Sequence, residues 1–326
     1  NWVHPEVVGL LADRFAVDAN TTHEPWPADE VRRRAADADA LLAFMTDTVD
    51  AGFVAACPRL RIVACALKGF DNFDVDACTR AGVWVSIVPD LLTAPTAELA
   101  VGLAIALGRR VLDGDRLMRR GDFVGWRPQL YGSGLAGSTV GIAGLGAVGQ
   151  AIARRLAGFE ARLIGYDARP LPAETSAALA LEQVGWTRLL EESDLVLLAL
   201  PLNDQTRHLL GREALANLRP GCLVVNAGRG SVVDEAAVAD ALASGRLGGY
   251  AADVFEMEDW ALADRPRRIP QALLDRTDRT VFTPHLGSAV DRVRLDIALA
   301  AARNVAAVLD GREPPDAVNR PTAPRR

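Results

Sequence analysis

The chain has 326 residues, half of them apolar and 24% charged, with a formal net charge of −6. That length suits two domains of ordinary size, each with its own core. The acidic balance excludes a general affinity for nucleic acid or acidic lipid surfaces, but not a local cationic pocket for a small anion.

In chain order, a helix begins near Pro5, where an α/β domain ordinarily opens on a strand; a short N-terminal strand is therefore expected to be absent from this sequence. Helix Glu30–Ala38, with Arg32-Arg33-Arg34 as a solvated face, leads into strand Ala40–Phe44, helix Val49–Ala56 and strand Leu60–Ala66. Next comes Leu67-Lys68-Gly69-Phe70-Asp71-Asn72. Lys68 is the one lysine among 36 Lys and Arg side chains. In a composition that favours arginine, a retained lysine points to a need for a compact, flexible ammonium. Loops after strands are also where α/β proteins keep binding residues. Asp71 and Asn72 are expected to shape that loop by bonding to local backbone.

Strand Val83–Val88 is followed by a long helical stretch, about Thr96 to Met118, and then by a Gly-rich connection whose Trp126 and Tyr131 are suited to covering a pocket. Strand Thr139–Ala143 runs into Gly144-Leu145-Gly146-Ala147-Val148-Gly149 and helix Val148–Ala157. A strand, a G-x-G-x-x-G turn and a helix start make a dinucleotide fingerprint. Gly144 gives the tight turn, Gly146 lets backbone approach a pyrophosphate, and Gly149 lets helix and strand pack closely. The N–H groups of Ala147 and Val148 face the phosphates at the helix N-terminus. Strand Arg162–Tyr166 ends at Asp167, 18 residues past Gly149, where a carboxylate binds ribose hydroxyls and repels a 2′-phosphate. That favours NAD, with Arg169 as a counterweight toward NADP.

Strands Leu195–Leu200, Leu223–Asn226, Gly249–Val254 and Thr280–Thr283 alternate with helices Arg212–Leu218 and Glu235–Ser244, and a second long helix spans Ser288 to about Leu309. Such alternation predicts parallel sheets with helices on both faces. The two long helices read as crossings between domains. The expected division is a domain of residues 1–93 and 287–326, and a nucleotide-binding domain of residues 94–286. The tail Pro314–Arg326 is expected to be poorly ordered. Cys57, Cys65, Cys78 and Cys222 lack metal-ligand spacing and read as small buried hydrophobes of a reducing compartment. Four scattered histidines suggest no metal site either. With no secretory signal, bilayer-length apolar run or lipidation motif, a cytoplasmic location is expected.

Three strand ends after the fingerprint carry Arg229, Glu258 and His285. A cation for an anionic substrate, a histidine to move a proton and a carboxylate to raise its basicity suit hydride-transfer chemistry.

These stretches resemble the D-2-hydroxyacid dehydrogenase family over nearly the whole chain. Within it, Leu67–Asp74, Val88–Thr93, Tyr131–Leu135, Arg229–Glu235 and Gly249–Trp260 are similar to phosphite (phosphonate) dehydrogenases. Common family members have Pro after Glu258 and lack a lysine at position 68, whereas this chain reads Glu258-Asp259-Trp260. The resemblance implies two Rossmann-like, doubly wound parallel-sheet domains with the active site in an interdomain cleft. It implies catalysis by Arg229, Glu258 and His285, and substrate binding by Lys68, Gly69, Arg229, Met45, Trp126, Tyr131 and Ser288. NAD would be held by Thr96, the Gly144–Gly149 turn, Asp167, Ala199-Leu200-Pro201, Ala227, Gly228, Arg229, Asp253, His285, Gly287 and Ser288. It further implies a homodimer through the helical segment near 96–118. The expected reaction is oxidation of phosphite to phosphate by hydride transfer to NAD, with water as nucleophile and His285 or Arg229 as its base. The alternatives are a D-2-hydroxyacid dehydrogenase or glyoxylate/hydroxypyruvate reductase, and an NAD(H)-sensing, corepressor-like binding protein.

Overall fold

The computed structural model describes residues 2–325. It divides into two compact units: residues 1–92 with 260–263 and 289–326, and residues 93–259 with 264–288.

The first unit holds strands β1 (Ala40–Ala43), β2 (Ile62–Cys65) and β3 (Trp84–Ser86), all parallel and in sequence order. Every residue of β2 is buried, as the middle strand of a sheet covered on both faces must be. On one face Ile62, Ala64 and Trp84 pack against Ile297, Ala301 and Val305 of the helix Asp291–Leu309. On the other, Val63, Cys65 and Val85 join Phe53, Val54 and Val83. Trp2 makes an isolated parallel bridge to Asn20.

The expected disorder of the tail is overturned for the described residues, since Arg326 lies outside them. Ala317 pairs antiparallel with Ser86, and Val318 N–H donates to the Val85 carbonyl. The Asn319 side chain, 8% exposed, accepts from Val85 N–H and donates to the Val83 carbonyl. Arg325 reaches the carbonyls of Cys57 and Leu60. Proline and arginine content suggested a loose end; backbone pairing and a buried amide hold it.

The second unit holds β4 (Thr139–Ala143), β5 (Arg162–Tyr166), β6 (Leu181–Gln183), β7 (Leu195–Leu198), β8 (Cys222–Asn226), β9 (Leu247–Ala252) and β10 (Thr280–Phe282). They form one sheet in the order β10-β9-β8-β7-β4-β5-β6, with every pairing parallel. This is the α/β architecture predicted from the alternation. Because the order reverses between β4 and β7, the crevice outside their carboxyl ends is the place for a ligand. The short strand β6 escaped sequence reading because only Leu181 in it is buried.

The long helix expected over Thr96–Met118 is two helices, Thr93–Gly108 and Val111–Arg119. The chain breaks at Arg110, whose φ of +53° lies in the left-handed region and cannot continue an α-helix. Small residues Ala97, Ala100 and Ala104 bury the first helix against the sheet core. Among the described residues no helix is long and apolar enough to cross a membrane, no group of side chains is arranged to hold a metal, and all four cysteines are buried free thiols.

Candidate active site

The nucleotide end of the second unit follows from close backbone contacts. At Gly144, φ is +91°, and a Cβ there would stand 2.6 Å from the Ala199 carbonyl oxygen. At Gly149 a Cβ would lie 1.9 Å from the Gly144 carbonyl oxygen, so the helix Ala147–Leu156 starts in direct contact with the turn. Gly146 caps that helix with no side-chain bond, and a Cβ built on it meets nothing within 4 Å. Open space over uncapped N–H groups is what a pyrophosphate requires.

Asp167 is more committed than sequence suggests. One carboxylate oxygen accepts Leu145 N–H at 2.8 Å and the other accepts Arg169 N–H at 3.0 Å. It therefore shapes the glycine turn while keeping lone pairs for a ribose. Asp167→Ala is expected to raise the ratio of kcat/KM with NADP to that with NAD by about tenfold or more, one good hydrogen bond plus relief of charge repulsion. An unchanged ratio in a steady-state comparison would place the ribose acid elsewhere.

The proposed reacting groups stand at the carboxyl ends of neighbouring strands β8, β9 and β10. His285 Nδ1 lies 2.7 Å from Glu258 Oε2, and the other Glu258 oxygen accepts Phe255 N–H at 2.9 Å. The carboxylate is thus aimed by its own 3-10 turn, Glu256–Glu258. Both side chains are about one-quarter exposed, at 28% and 25%, so the imidazole can be reached by substrate while still being oriented. With the carboxylate on Nδ1, Nε2 is the ring nitrogen left for a proton-transfer partner. His285 itself takes a φ of +55°, an uncommon conformation for a side-chain-bearing residue.

Asp253, 2% exposed, holds the His285 loop. Its carboxylate accepts Thr283 Oγ1 at 2.6 Å, Leu286 N–H at 2.7 Å and Gly287 N–H at 2.8 Å. Burial raises its pKa above the ordinary carboxylate value, opposed by those bonds. Sequence reading placed Asp253 and Gly287 against the cofactor; the geometry adds a role in fixing the loop that carries histidine. Thr96 Oγ1 donates to the Gly287 carbonyl at 3.2 Å from the first turn of its helix.

Arg229 leaves β8 with its backbone carbonyl accepting Asn226 Nδ2 at 2.9 Å, and its Nη1 donates to the Gly228 carbonyl at 3.0 Å. Ser288 is half-buried in the same unit, as are Ala199, Ala227 and Gly228. In the first unit, Lys68 and Gly69 are half-buried beyond β2. Asn72 Nδ2 donates to the Met45 carbonyl at 3.2 Å and also to the Asp47 carbonyl, tying this loop to the one after β1. Trp126 and Tyr131, expected to cover a pocket, are 83% and 74% exposed, so neither packs into a core.

Sequence reasoning missed a buried carboxylate pair beside this site. Glu235 Oε1 accepts Glu256 N–H at 2.8 Å while Glu256 Oε1 accepts Glu235 N–H at 2.9 Å. The other Glu256 oxygen lies 2.8 Å from His208 Nε2. The only sequence signal was an acidic residue starting a helix. Glu235 is 1% exposed. Burial pushes its carboxyl from 4.5 up to about 7, with Glu256, Glu258 and Asp259 pushing the same way. The folded protein therefore keeps a proton that the unfolded chain releases. The stability tied to this group is complete below about pH 4.5 and lost as pH rises through about 7. The shift corresponds to roughly 3 kcal/mol at most. Glu235→Gln is expected to flatten that part of the Tm-against-pH curve between pH ~5 and ~8. Equal losses of Tm in variant and parent would refute it.

Residues 101–287 match the family model for the D-isomer specific 2-hydroxyacid dehydrogenase NAD-binding domain. The chain belongs to the D-isomer specific 2-hydroxyacid dehydrogenase family. It is 37% identical to the glyoxylate reductase of Aeropyrum pernix over 323 residues, covering 98% of this chain and 94% of that protein. It is 36% identical to the glyoxylate reductase of Pyrococcus furiosus, covering 96% and 92%. A crystal structure of the TT0316 protein from Thermus thermophilus superposes with a TM-score of 0.87 at 33% identity, covering 96% of each chain. As a member of the 2-hydroxyacid dehydrogenase family, the protein is an NAD-dependent oxidoreductase, and the uncapped helix start over Gly146 fits that cofactor. Bound NAD supplies the hydride acceptor; Gly144–Gly149 and Asp167 are the residues suited to hold it.

Proposed function

We propose that this oxidoreductase oxidises phosphite to phosphate, with Lys68 and Arg229 as its anion-binding residues. The names of its relatives favour the alternative, the interconversion of glyoxylate or related 2-oxo acids with 2-hydroxy acids. What supports phosphite is Lys68, the chain's one lysine, in the loop beyond β2. A carboxylate carries one charge, which one bidentate arginine matches. Phosphite near neutral pH is largely a dianion, and burying it against a single cation leaves a costly surplus of negative charge.

In this reading the P–H bond breaks with its electron pair leaving as hydride. A water oxygen bonds to phosphorus, and His285, oriented by Glu258, takes the water proton. The half-buried, carboxylate-paired imidazole favours His285 over Arg229 as that base. In the hydroxy-acid reading the same histidine exchanges a proton with the substrate hydroxyl oxygen, and Arg229 holds the carboxylate. A third reading, an NAD(H)-sensing protein without turnover, is disfavoured by the His285–Glu258 pair, which sensing alone does not need. The exposed Val111, Leu112 and Met118 support a homodimer through the helical segment near 96–118. Four buried free thiols suit a cytoplasmic setting.

Initial NADH formation with phosphite, D-lactate and D-glycerate, and NADH oxidation with glyoxylate, decides among these readings. Strong turnover of glyoxylate or a hydroxy acid with none of phosphite removes the phosphite reading. If phosphite is the substrate, Lys68→Ala should raise its KM by about 10²-fold, the 2–3 kcal/mol of a charge-assisted bond, with little change in the KM for NAD. Equal effects on both constants would refute the role given to Lys68.

A further inference from the structure

We propose that Asp259 is a positioning residue which fastens the turn carrying Arg229 to the turn carrying Glu258, so that anion holding and histidine orientation share one fixed frame. The proposal rests on the reading that Arg229 holds the substrate anion.

Two loops leave neighbouring strands of the second unit. One is Ala227–Val233, beyond β8; the other is Asp253–Asp259, beyond β9. They touch backbone to backbone at Gly230, where a Cβ would lie 1.9 Å from the Phe255 carbonyl carbon. Contact alone sets a closest approach, not a register. Register is set by bonds on either side of it. On one side, Glu235 and Glu256 exchange backbone-to-carboxylate bonds at 2.8 and 2.9 Å. On the other, Asp259 Oδ2 accepts Ser231 N–H at 2.6 Å. Ser231 is 1% exposed and Asp259 7%, so the bond forms away from water, where a charge-assisted hydrogen bond is strong and hard to replace.

The two bonds differ in what they hold. The glutamate pair lies six residues beyond Arg229, at the start of the helix Glu235–Ala243. Asp259 directly follows Glu258, and its partner Ser231 is two residues from Arg229. Asp259 N–H also donates to the Glu256 carbonyl at 3.2 Å, which closes the 3-10 turn that aims Glu258. Asp259 thus links the turn of the arginine to the turn of the carboxylate behind His285 through one hydrogen bond. Misplacement of a reacting or binding group by about 1 Å costs on the order of 10²-fold in rate. A loosened Arg229 turn should therefore appear first in the use of the anion, with a smaller effect on the nucleotide, whose glycine turn beside β4 is untouched.

The test uses the full chain, with Asp259→Ala, Asp259→Asn and the parent compared in two ways. Kinetics use whichever anion, phosphite or glyoxylate, the parent turns over. Asp259→Ala is expected to raise the KM for the anion about tenfold or more while the KM for the nicotinamide cofactor stays within about twofold. Asp259→Asn, which keeps an acceptor for Ser231 N–H, is expected to recover most of the loss. Amide hydrogen exchange followed by mass spectrometry is the second readout. Peptides covering 229–233 should lose protection in Asp259→Ala and regain it in Asp259→Asn, with peptides covering 144–156 unchanged. A lowered Tm with no split between the two KM values would reduce Asp259 to a structural tie and overturn the proposal. If the parent turns over neither anion, the functional reading fails, and the fastening is judged on exchange alone: unchanged protection at 229–233 overturns it.

Discussion

Replacing His285 with asparagine is expected to lower kcat by about 10²–10⁴-fold, the usual worth of a positioned general acid–base group. Asparagine is preferred to alanine here because His285 holds a φ of +55°, a conformation that asparagine tolerates better than most residues. The variant keeps the loop, held by the three bonds to Asp253, and loses only the imidazole. NADH binding, followed by nicotinamide fluorescence, should fall far less than kcat because the fingerprint is untouched. A kcat within about fivefold of the parent would assign the proton transfer elsewhere, with Arg229 as the first candidate. Glu258→Gln should fall between the two in kcat, because it keeps a hydrogen-bond partner for Nδ1 while removing the carboxylate charge behind the ring.

The second large effect belongs to the turn after β4. Gly149→Ala places a Cβ 1.9 Å from the Gly144 carbonyl oxygen, backbone against backbone, where no rotamer can relieve it. The expected cost is about 3 kcal/mol, at the upper end for overpacking a tight interior. In a unit of this size that is a fall in Tm of roughly 6–12 °C, accompanied by loss of NADH binding. Gly146→Ala makes the contrast, because its Cβ meets nothing within 4 Å of protein. It should leave Tm within about 2 °C, yet weaken NADH binding, since the open space is where the pyrophosphate is expected. Equal falls in Tm for both variants would mean that the turn relaxes as a whole.

The contrast between those two glycines shows which part of the site the residues disclose by themselves. Glycines at fixed spacing, an acid at the next strand end and three polar residues behind apolar strands are local patterns. Each has a short-range cause: a turn that needs a left-handed residue, a helix start without a cap, a strand too apolar to be anything but interior. They are legible one segment at a time. The carboxylate-to-carboxylate exchange of Glu235 and Glu256 is not, because it depends on the register of β8 against β9, and that register shifts between Cys222 and Leu223. The fixed tail was illegible for the same reason: Asn319 looks like any polar residue until it meets the backbone of β3. The break at Arg110 was hidden because the helical pattern of apolar residues continues across it. Lys68 was conspicuous in the sequence for its rarity alone; how its loop is held follows from geometry, as the bond from Asn72 to Met45 shows.

One core of the first unit is assembled from both extremities of the chain: Ile62, Ala64 and Trp84 are covered by Ile297, Ala301 and Val305. During synthesis, roughly 200 residues must be added after β3 before that covering helix emerges, a wait of roughly 10–40 s at ribosomal speeds. The second unit, almost continuous in sequence, can close in the meantime. Just before that helix emerges, the nascent protein thus carries a nearly finished nucleotide-binding unit and a half-made first unit whose apolar sheet face is bare. Truncation near the end of the message should leave NADH binding intact and yet send the product to chaperones or inclusion bodies.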